Sequence, residues 1–275
     1  MSRTLPYWHV DAFADRPFTG NQAAVMPLED WLPDETLGAI AAENNFAETA
    51  FTVPDPSGAC DYQLRWFTPT SEVALCGHAT LAAGHVLLGR EGTSRVTFQT
   101  RRAGTLEVRR AAEGYELDLP VTRVAPHDNP ALLAALGAQG EVFESVSGAE
   151  ATAIVLFASE AEIRALRPDM RALGTIDLMA ICTASGDPKG GGADVVSRVF
   201  VPAWGVDEDS VTGSAHAALA PFWAERLGRE SFTAYQASAR GGELTCRLVP
   251  GAPEERAVIG GRCVTVVEGS FFLSE

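Results

Sequence analysis

Apolar and polar residues alternate in many short stretches of this chain. Trp8 to Phe13, Tyr62 to Phe67, Thr105 to Arg109, Tyr115 to Leu119, Leu244 to Val249 and Val264 to Val267 show the period of two expected of half-buried antiparallel strands. Helical periods are fewer. From Pro33 to Glu43 the spacing predicts a surface helix, with Leu37, Ile40 and Ala41 on one face and Asn44-Asn45 ending it. Ser159 with Glu162 three residues on is a capping box that opens a second surface helix, up to the Pro168 region. Ala79 to Leu88 and Ala215 to Leu227 are small or apolar on nearly every side, and a helix of that kind has to be enclosed by other elements. A curved, mostly antiparallel sheet around each is expected, which makes the fold class α+β. Pro221 interrupts the second of these helices and is expected to kink it or loosen a turn, because proline lacks the backbone donor; it has no functional reading.

The pattern is also written twice. Arg65-Trp66-Phe67-Thr68-Pro69 precedes Cys76-Gly77-His78-Ala79-Thr80, and Arg198-Val199-Phe200-Val201-Pro202 precedes Thr212-Gly213-Ser214-Ala215-His216. The first pieces lie 133 positions apart and the second pieces 136, about half the chain. A doubled fold with pseudo-twofold symmetry follows. In each copy a strand-like segment ends in a loop, and glycine plus a small polar residue then opens an apolar helix, so backbone N–H groups and a partial positive charge are offered to an anion. Facing one cleft, the two helix starts are expected to grip a substrate carboxylate from both sides. The stretch from Leu119 to Pro130, with three prolines and little periodicity, is the expected boundary, giving domains 1–122 and 123–275.

Composition narrows the function. The chain has 275 residues and a formal charge of −15, which argues against nucleic acid or an anionic membrane as partner. Five cysteines, with no C-x-x-C pair, point to neither a disulfide framework nor a zinc cluster, and hence to a reducing compartment. Neither a signal-type run before Phe18 nor a membrane-length apolar stretch is present, so a cytoplasmic protein is expected. The glycine-rich loop Gly186 to Gly192 carries Lys189 without the order of a phosphate loop, and no G-x-G-x-x-G follows a strand, so no nucleotide cofactor is expected. His9, His85, His127 and His216 show no paired ligand spacing, and no metal is assigned.

Glu48 is the strongest candidate for chemistry. It lies among the small and apolar residues Phe46 to Phe51, where a carboxyl facing a closed cleft would be desolvated and tuned for acid–base work; the alternative is a surface glutamate on an edge strand. His78 and Ser214 take equivalent places at the two helix starts, with Asp209 five residues before the second. Each has a structural alternative, as a helix cap or a satisfied core histidine. Gly77 and Gly213 fit positions where a ligand approaches the backbone too closely for a side chain.

Val10-Asp11-Ala12-Phe13 followed by Gly20-Asn21-Gln22, Asn45 to Thr49, Phe67-Thr68-Pro69 with Gly77 to Thr80, Asp209 with Thr212 to Ala215, and Arg240 to Leu244 together give the chain a close resemblance to the phenazine-biosynthesis isomerase (PhzF-like) family, within the diaminopimelate-epimerase fold. The resemblance covers nearly the whole chain. It implies two similar barrel-like domains around central helices, a last strand that crosses back to the first domain, an active site between the domains, and no metal or organic cofactor. It also implies that Glu48 is the general acid/base, that His78, Asp209 and Ser214 line the cleft, and that Asn21, Gly77, Thr212 and Gly213 bind substrate. A cofactor-independent isomerase moving a proton on a small carboxylate, as a homodimer, is the leading expectation. Cys76 raises a second one, set against the plainer reading of a small buried residue behind the helix start. Racemases and epimerases of this fold oppose two thiols, one at each helix start, and Cys76 stands where the first would be; Thr212, at the second position, is no base near neutral pH, leaving a one-thiol epimerase or dehydratase. A non-catalytic ligand-binding protein is the third, disfavoured by the intact set of polar residues. Cys60, Cys182, Cys246 and Cys263 are expected to be core or surface fillers.

Overall fold

The computed structural model describes residues 3–147, 150–251 and 255–273; Met1 and Glu275, which begin and end the two expected domains, lie outside them. The chain forms two compact units, Met1–Asp118 with Gly260–Glu275, and Leu119–Ile259. No helix among the described residues is long and apolar enough to cross a membrane.

The first unit runs β1 (Arg3–Ala12), β2 (Asn21–Pro27), α1 (Asp34–Asn44), β3 (Glu48–Pro54), β4 (Tyr62–Phe67), β5 (Glu72–Val73), α2 (Gly77–Glu91), β6 (Arg95–Thr100), β7 (Thr105–Ala111) and β8 (Gly114–Pro120). The second continues with β9 (Val124–Pro126), α3 (Pro130–Leu136), β10 (Glu141–Ser145), β11 (Thr152–Leu156), α4 (Glu160–Ala165), α5 (Met170–Leu173), β12 (Met179–Ser185), β13 (Val195–Val201), β14 (Val206–Asp209), α6 (Gly213–Leu227), β15 (Ser231–Gln236), β16 (Gly242–Val249) and β17 (Arg256–Gly261). The last strand, β18 (Cys263–Leu273), pairs antiparallel with β1.

The pairings repeat. In the first unit β1–β2 is antiparallel, β2–β3 parallel, β3–β4 antiparallel, β4–β6 parallel and β6–β7 antiparallel. In the second, β10–β11, β11–β12, β12–β13, β13–β15 and β15–β16 follow the same sequence of directions. Parallel neighbours need a crossover, and the surface helices and the apolar helices supply them in both copies. The fold is therefore α+β, with a mixed, mainly antiparallel sheet and an internally repeated topology.

Helices α2 and α6 are each 15 residues long and keep the 136-position offset from first residue to last. Both end at a glycine in the left-handed region, Gly92 (φ 69°) and Gly228 (φ 65°), where an L side chain would be strained. Helix α2 packs against β1, β2, β3, β6, β7 and β18, with Ala79, Leu81, Ala82, Ala83, Leu87 and Leu88 almost fully buried. It lies close against the sheet at Gly84, where an added Cβ would come within 2.4 Å of a Val108 methyl on β7. Pro221 is buried within α6, which continues past it to Leu227.

Local readings that hold include α1, introduced by Pro33 and ended by Asn45 in the left-handed region (φ 50°), and the Ser159 cap, whose hydroxyl accepts from Glu162 N–H at 3.3 Å. Other segments differ from expectation. Helix α4 stops at Ala165, short of Pro168, and the Ile163 and Leu166 carbonyls accept instead from Arg198 Nη1 at 3.2 and 2.9 Å. The proline-rich stretch before Pro130 contains β9, paired with β10; proline is tolerated in a short strand of this kind. The second unit carries an additional helix, α3, capped by Asn129 Oδ1 accepting from Leu132 N–H at 3.0 Å. Cys182 and Cys246 fill strands in the core, whereas Cys60 lies in a bend before β4.

Gly84→Ala is expected to lower unfolding stability by about 1–3 kcal/mol, because the helix cannot move off β7 without disturbing the packing around it. Gly38→Ala in α1, where a Cβ meets nothing within 4 Å, is expected to raise it by about 0.5–1 kcal/mol. Urea unfolding of both variants measures the contrast; equal effects would show that α2 is not held at a fixed distance from the sheet.

Candidate active site

Register decides what stands beside Glu48, the first residue of β3. In the parallel β2–β3 pair Ala23 is opposite Glu48, and Asn21, two residues earlier in β2, shares that face. Helix α2 begins beside them, and its second residue, His78, comes between the two side chains. His78 Nε2 lies 3.2 Å from Glu48 Oε2, and Asn21 Nδ2 lies 3.1 Å from His78 Nδ1. Cys76 Sγ is 3.5 Å from the same Nδ1. The end of α1 fixes the start of β3, since Asn44 Nδ2 donates to Thr49 Oγ1 at 3.0 Å.

These contacts select a tautomer. The Asn21 NH2 can only donate, so Nδ1 accepts and the ring proton sits on Nε2, the nitrogen 3.2 Å from Glu48 Oε2. The His78 side chain is 4 % exposed and that of Glu48 18 %, so the pair is largely shielded from water.

The second helix start has its own network. Asp209, the last residue of β14, accepts from Ser210 N–H through Oδ1 at 2.9 Å and from the Thr212 hydroxyl through Oδ2 at 2.5 Å. Gln236, fully buried at the end of β15, accepts from Thr212 N–H at 2.9 Å and donates to the Asp209 carbonyl at 2.8 Å. Gly213 opens α6, and Ser214, its second residue, is half-buried. The residues before the two helices, Cys76 and Thr212, make no side-chain cap, which leaves the first N–H groups of α2 and α6 without that partner. In each helix the fourth residue bonds back to the N-cap carbonyl, Thr80 Oγ1 to Cys76 at 2.5 Å and His216 Nδ1 to Thr212 at 2.8 Å.

The expected residues thus fall into two groups. Glu48, His78, Asn21, Gly77 and Cys76 come together in the first unit; Asp209, Thr212, Gly213 and Ser214 come together in the second. Ser214 is not a helix cap. Gln236 was not foreseen, because an isolated glutamine ending a strand carries no motif.

With both helix starts described, the relatives can be placed beside them. Residues 10–269 match the family described as "Phenazine biosynthesis-like protein". The chain belongs to this family. It is 46% identical over 273 residues to an "Uncharacterized isomerase" of Pseudomonas aeruginosa, covering 98% of this chain and 99% of that protein. It is 37% identical over 290 residues to the human "Phenazine biosynthesis-like domain-containing protein", covering 97% and 98%. A PhzF-family crystal structure from Enterococcus faecalis superposes with a TM-score of 0.85 at 41% identity, covering 98% of this chain and 100% of that one. A hydroxyproline epimerase from Agrobacterium vitis shares the fold, with a TM-score of 0.64 at 15% identity over 99% of this chain and 94% of its own. Like its named relatives, the chain is an enzyme of the isomerase type.

His216 gives this region a measurable pH signature. Complete burial lowers its pKa to about 4, whereas the unfolded chain titrates near 6.5. Between those values the unfolded state binds a proton that the folded state refuses, so stability falls as the pH drops below 6.5. A loss of about 2 kcal/mol is expected between pH 7 and pH 5 from this group. His85, lowered by burial and by Arg110, adds to it in the same direction. Denaturant unfolding at both pH values should show the loss in the parent and a smaller one in His216→Gln; equal losses would assign the effect elsewhere.

Proposed function

We propose that the enzyme moves a proton on a small carboxylate substrate by general acid/base catalysis, in the cytoplasm and without a resident cofactor, with Glu48 as the base. The observation that carries this reading is the Glu48–His78–Asn21 cluster, in which a buried imidazole, held at Nδ1 by Asn21, brings Nε2 to 3.2 Å from an oxygen of a shielded carboxylate. With Oε2 beside the imidazole, the second carboxylate oxygen is assigned to the proton. Glu48 abstracts a proton from a carbon beside an activating group and returns it to another position. The negative charge that develops on the substrate favours the uncapped N–H groups and positive end of α2. The Gly213-Ser214 N–H groups, with Asp209 and Thr212 beside them, are proposed as an anion-binding helix start of the second unit.

One observation favours a thiol-based reading, the placement of Cys76 Sγ 3.5 Å from His78 Nδ1. At the matching position of α6, however, Thr212 gives its hydroxyl proton to Asp209. A two-thiol mechanism has no second thiol there.

Glu48→Gln is expected to leave the fold intact and lower turnover at least about a hundredfold, the usual size of general acid–base catalysis. Cys76→Ala should cost less than about tenfold, equivalent to ~1.4 kcal/mol of barrier. Solvent deuterium entry into a panel of cyclic and amino carboxylates measures both. Loss of turnover in Cys76→Ala with turnover retained in Glu48→Gln would replace the glutamate mechanism with the thiol one.

A further inference from the structure

The same three side chains have a second chemistry. Glu48, Cys76 and His78 each offer a ligand atom, and these atoms all lie within 4.8 Å of one another. We propose that this cluster is a binding site for a thiophilic divalent cation of the zinc type, and that such a cation inhibits the enzyme by taking the acid–base pair out of use. The cation site stands on geometry alone; only the inhibition rests on the proposed proton-transfer role of Glu48.

A tetrahedral ion with bonds of about 2.0–2.3 Å to nitrogen, oxygen and sulfur holds its ligand atoms roughly 3.3–3.6 Å apart. The Nε2 to Oε2 separation of 3.2 Å is already close to that spacing. Cys76 Sγ lies within the same 4.8 Å cluster, and bringing it to the ion needs side-chain movement. The set is chemically selective, since a thiolate with an imidazole and one carboxylate suits zinc or cadmium and does not suit magnesium or calcium. Three protein ligands leave the fourth position to water.

Asn21 makes the change of state feasible. As oriented, its NH2 donates to Nδ1 and keeps the ring proton on Nε2. Turning the amide over presents its oxygen to Nδ1, the proton moves to Nδ1, and the Nε2 lone pair becomes available to the cation. An amide oxygen accepting from the distal N–H is the usual support of a metal-bound histidine. The proton balance is simple: the histidine exchanges one neutral tautomer for the other, and the thiol releases one proton to solvent on becoming a ligand. His9, His85, His127 and His216 show no ligand spacing along the chain, and the cluster includes none of them. The cluster instead joins Cys76-x-His78 to a glutamate from a different strand.

The test uses the full-length protein and the bare ions. Zn2+ titrated by calorimetry should bind at one equivalent, and Cd2+ should produce a cadmium–thiolate charge-transfer absorption. Cys76→Ala and Glu48→Gln should each weaken uptake at least about a hundredfold, and Asn21→Ala about 10–100-fold. Cys60→Ala should bind as the parent does. Circular dichroism confirms that each variant is folded, and the thiolate band in the parent stands even if one variant is not. Saturating Zn2+ should reduce deuterium entry to the Glu48→Gln level. A thiolate band that persists in Cys76→Ala, or parent uptake no tighter than that of Cys76→Ala, overturns the site. Undiminished turnover with the ion bound overturns the inhibition. Cys76-dependent uptake with full turnover in Glu48→Gln would leave the cation site standing and remove the proton-transfer reading. Lost turnover in Glu48→Gln with no uptake would do the reverse.

Discussion

Enclosing an apolar helix in a curved sheet is the constraint from which the rest of each unit follows. A helix buried on all sides needs strands around it, and parallel neighbours such as β2–β3 and β4–β6 let a short chain provide them, because each crossover is itself a helix. At Gly84 the approach to Val108 is so close that the side chain has been reduced to hydrogen. Once the body of α2 is sealed, its chemistry is confined to the amino end, where N–H groups lack helical partners. Glu48 and Asn21 stand beside that end because β3 and β2 begin there. The site is a consequence of how the helix is wrapped.

A second device is repeated in both units. The Arg65 guanidinium forks onto Glu72 at 2.8 Å for both bonds, and Arg198 forks onto Glu208 at 2.7 and 2.8 Å. Each lies 4.9 Å over the phenylalanine two residues on, Phe67 or Phe200. The third arm reaches the surface helix of the same unit, Asp34 at the start of α1 in one and the Ile163 and Leu166 carbonyls at the end of α4 in the other. Each arginine therefore ties a hairpin strand to a crossover helix, and that hairpin feeds directly into the apolar helix. Buried arginine is costly unless paired and hydrogen-bonded, which accounts for a glutamate at this place in both copies.

Much of this was legible because it is local. The alternation of Tyr62 to Phe67, the glycines that open α2 and α6, the Asn44-Asn45 stop and the Ser159 cap are signals carried by neighbouring residues. The duplication was legible for the same reason, since R-x-F-x-P and x-Gly-polar-Ala are short strings. What escaped depends on register. Nothing in the sequence says that Glu72 pairs with Arg65 or that Asn21 will contact His78, 57 residues away. Gln236 escaped because one buried amide serving Asp209 and Thr212 looks like any strand-ending glutamine. Strand β9 was hidden by its prolines.

The divergence of the two helix starts bears on the chemistry more than their similarity does. At α2 the pair Cys76 and His78 faces a carboxylate; at α6 the matching pair is Thr212 and Ser214, with Asp209 holding the threonine hydroxyl and Gln236 the threonine amide. Inversion at one carbon calls for bases on opposite faces of the substrate. At the second start Thr212 and Ser214 offer hydroxyls in place of the thiol and imidazole, and the Asp209 carboxylate is already engaged by the Ser210 N–H and the Thr212 hydroxyl, which leaves Glu48 as the single base proposed here. A single base works most directly by delivering the proton to a different carbon on the face from which it came. On the proposed reading of Glu48 as the single base, the asymmetry suits moving a proton along a small substrate better than exchanging its hand; the isomerase names of the relatives cover both reactions.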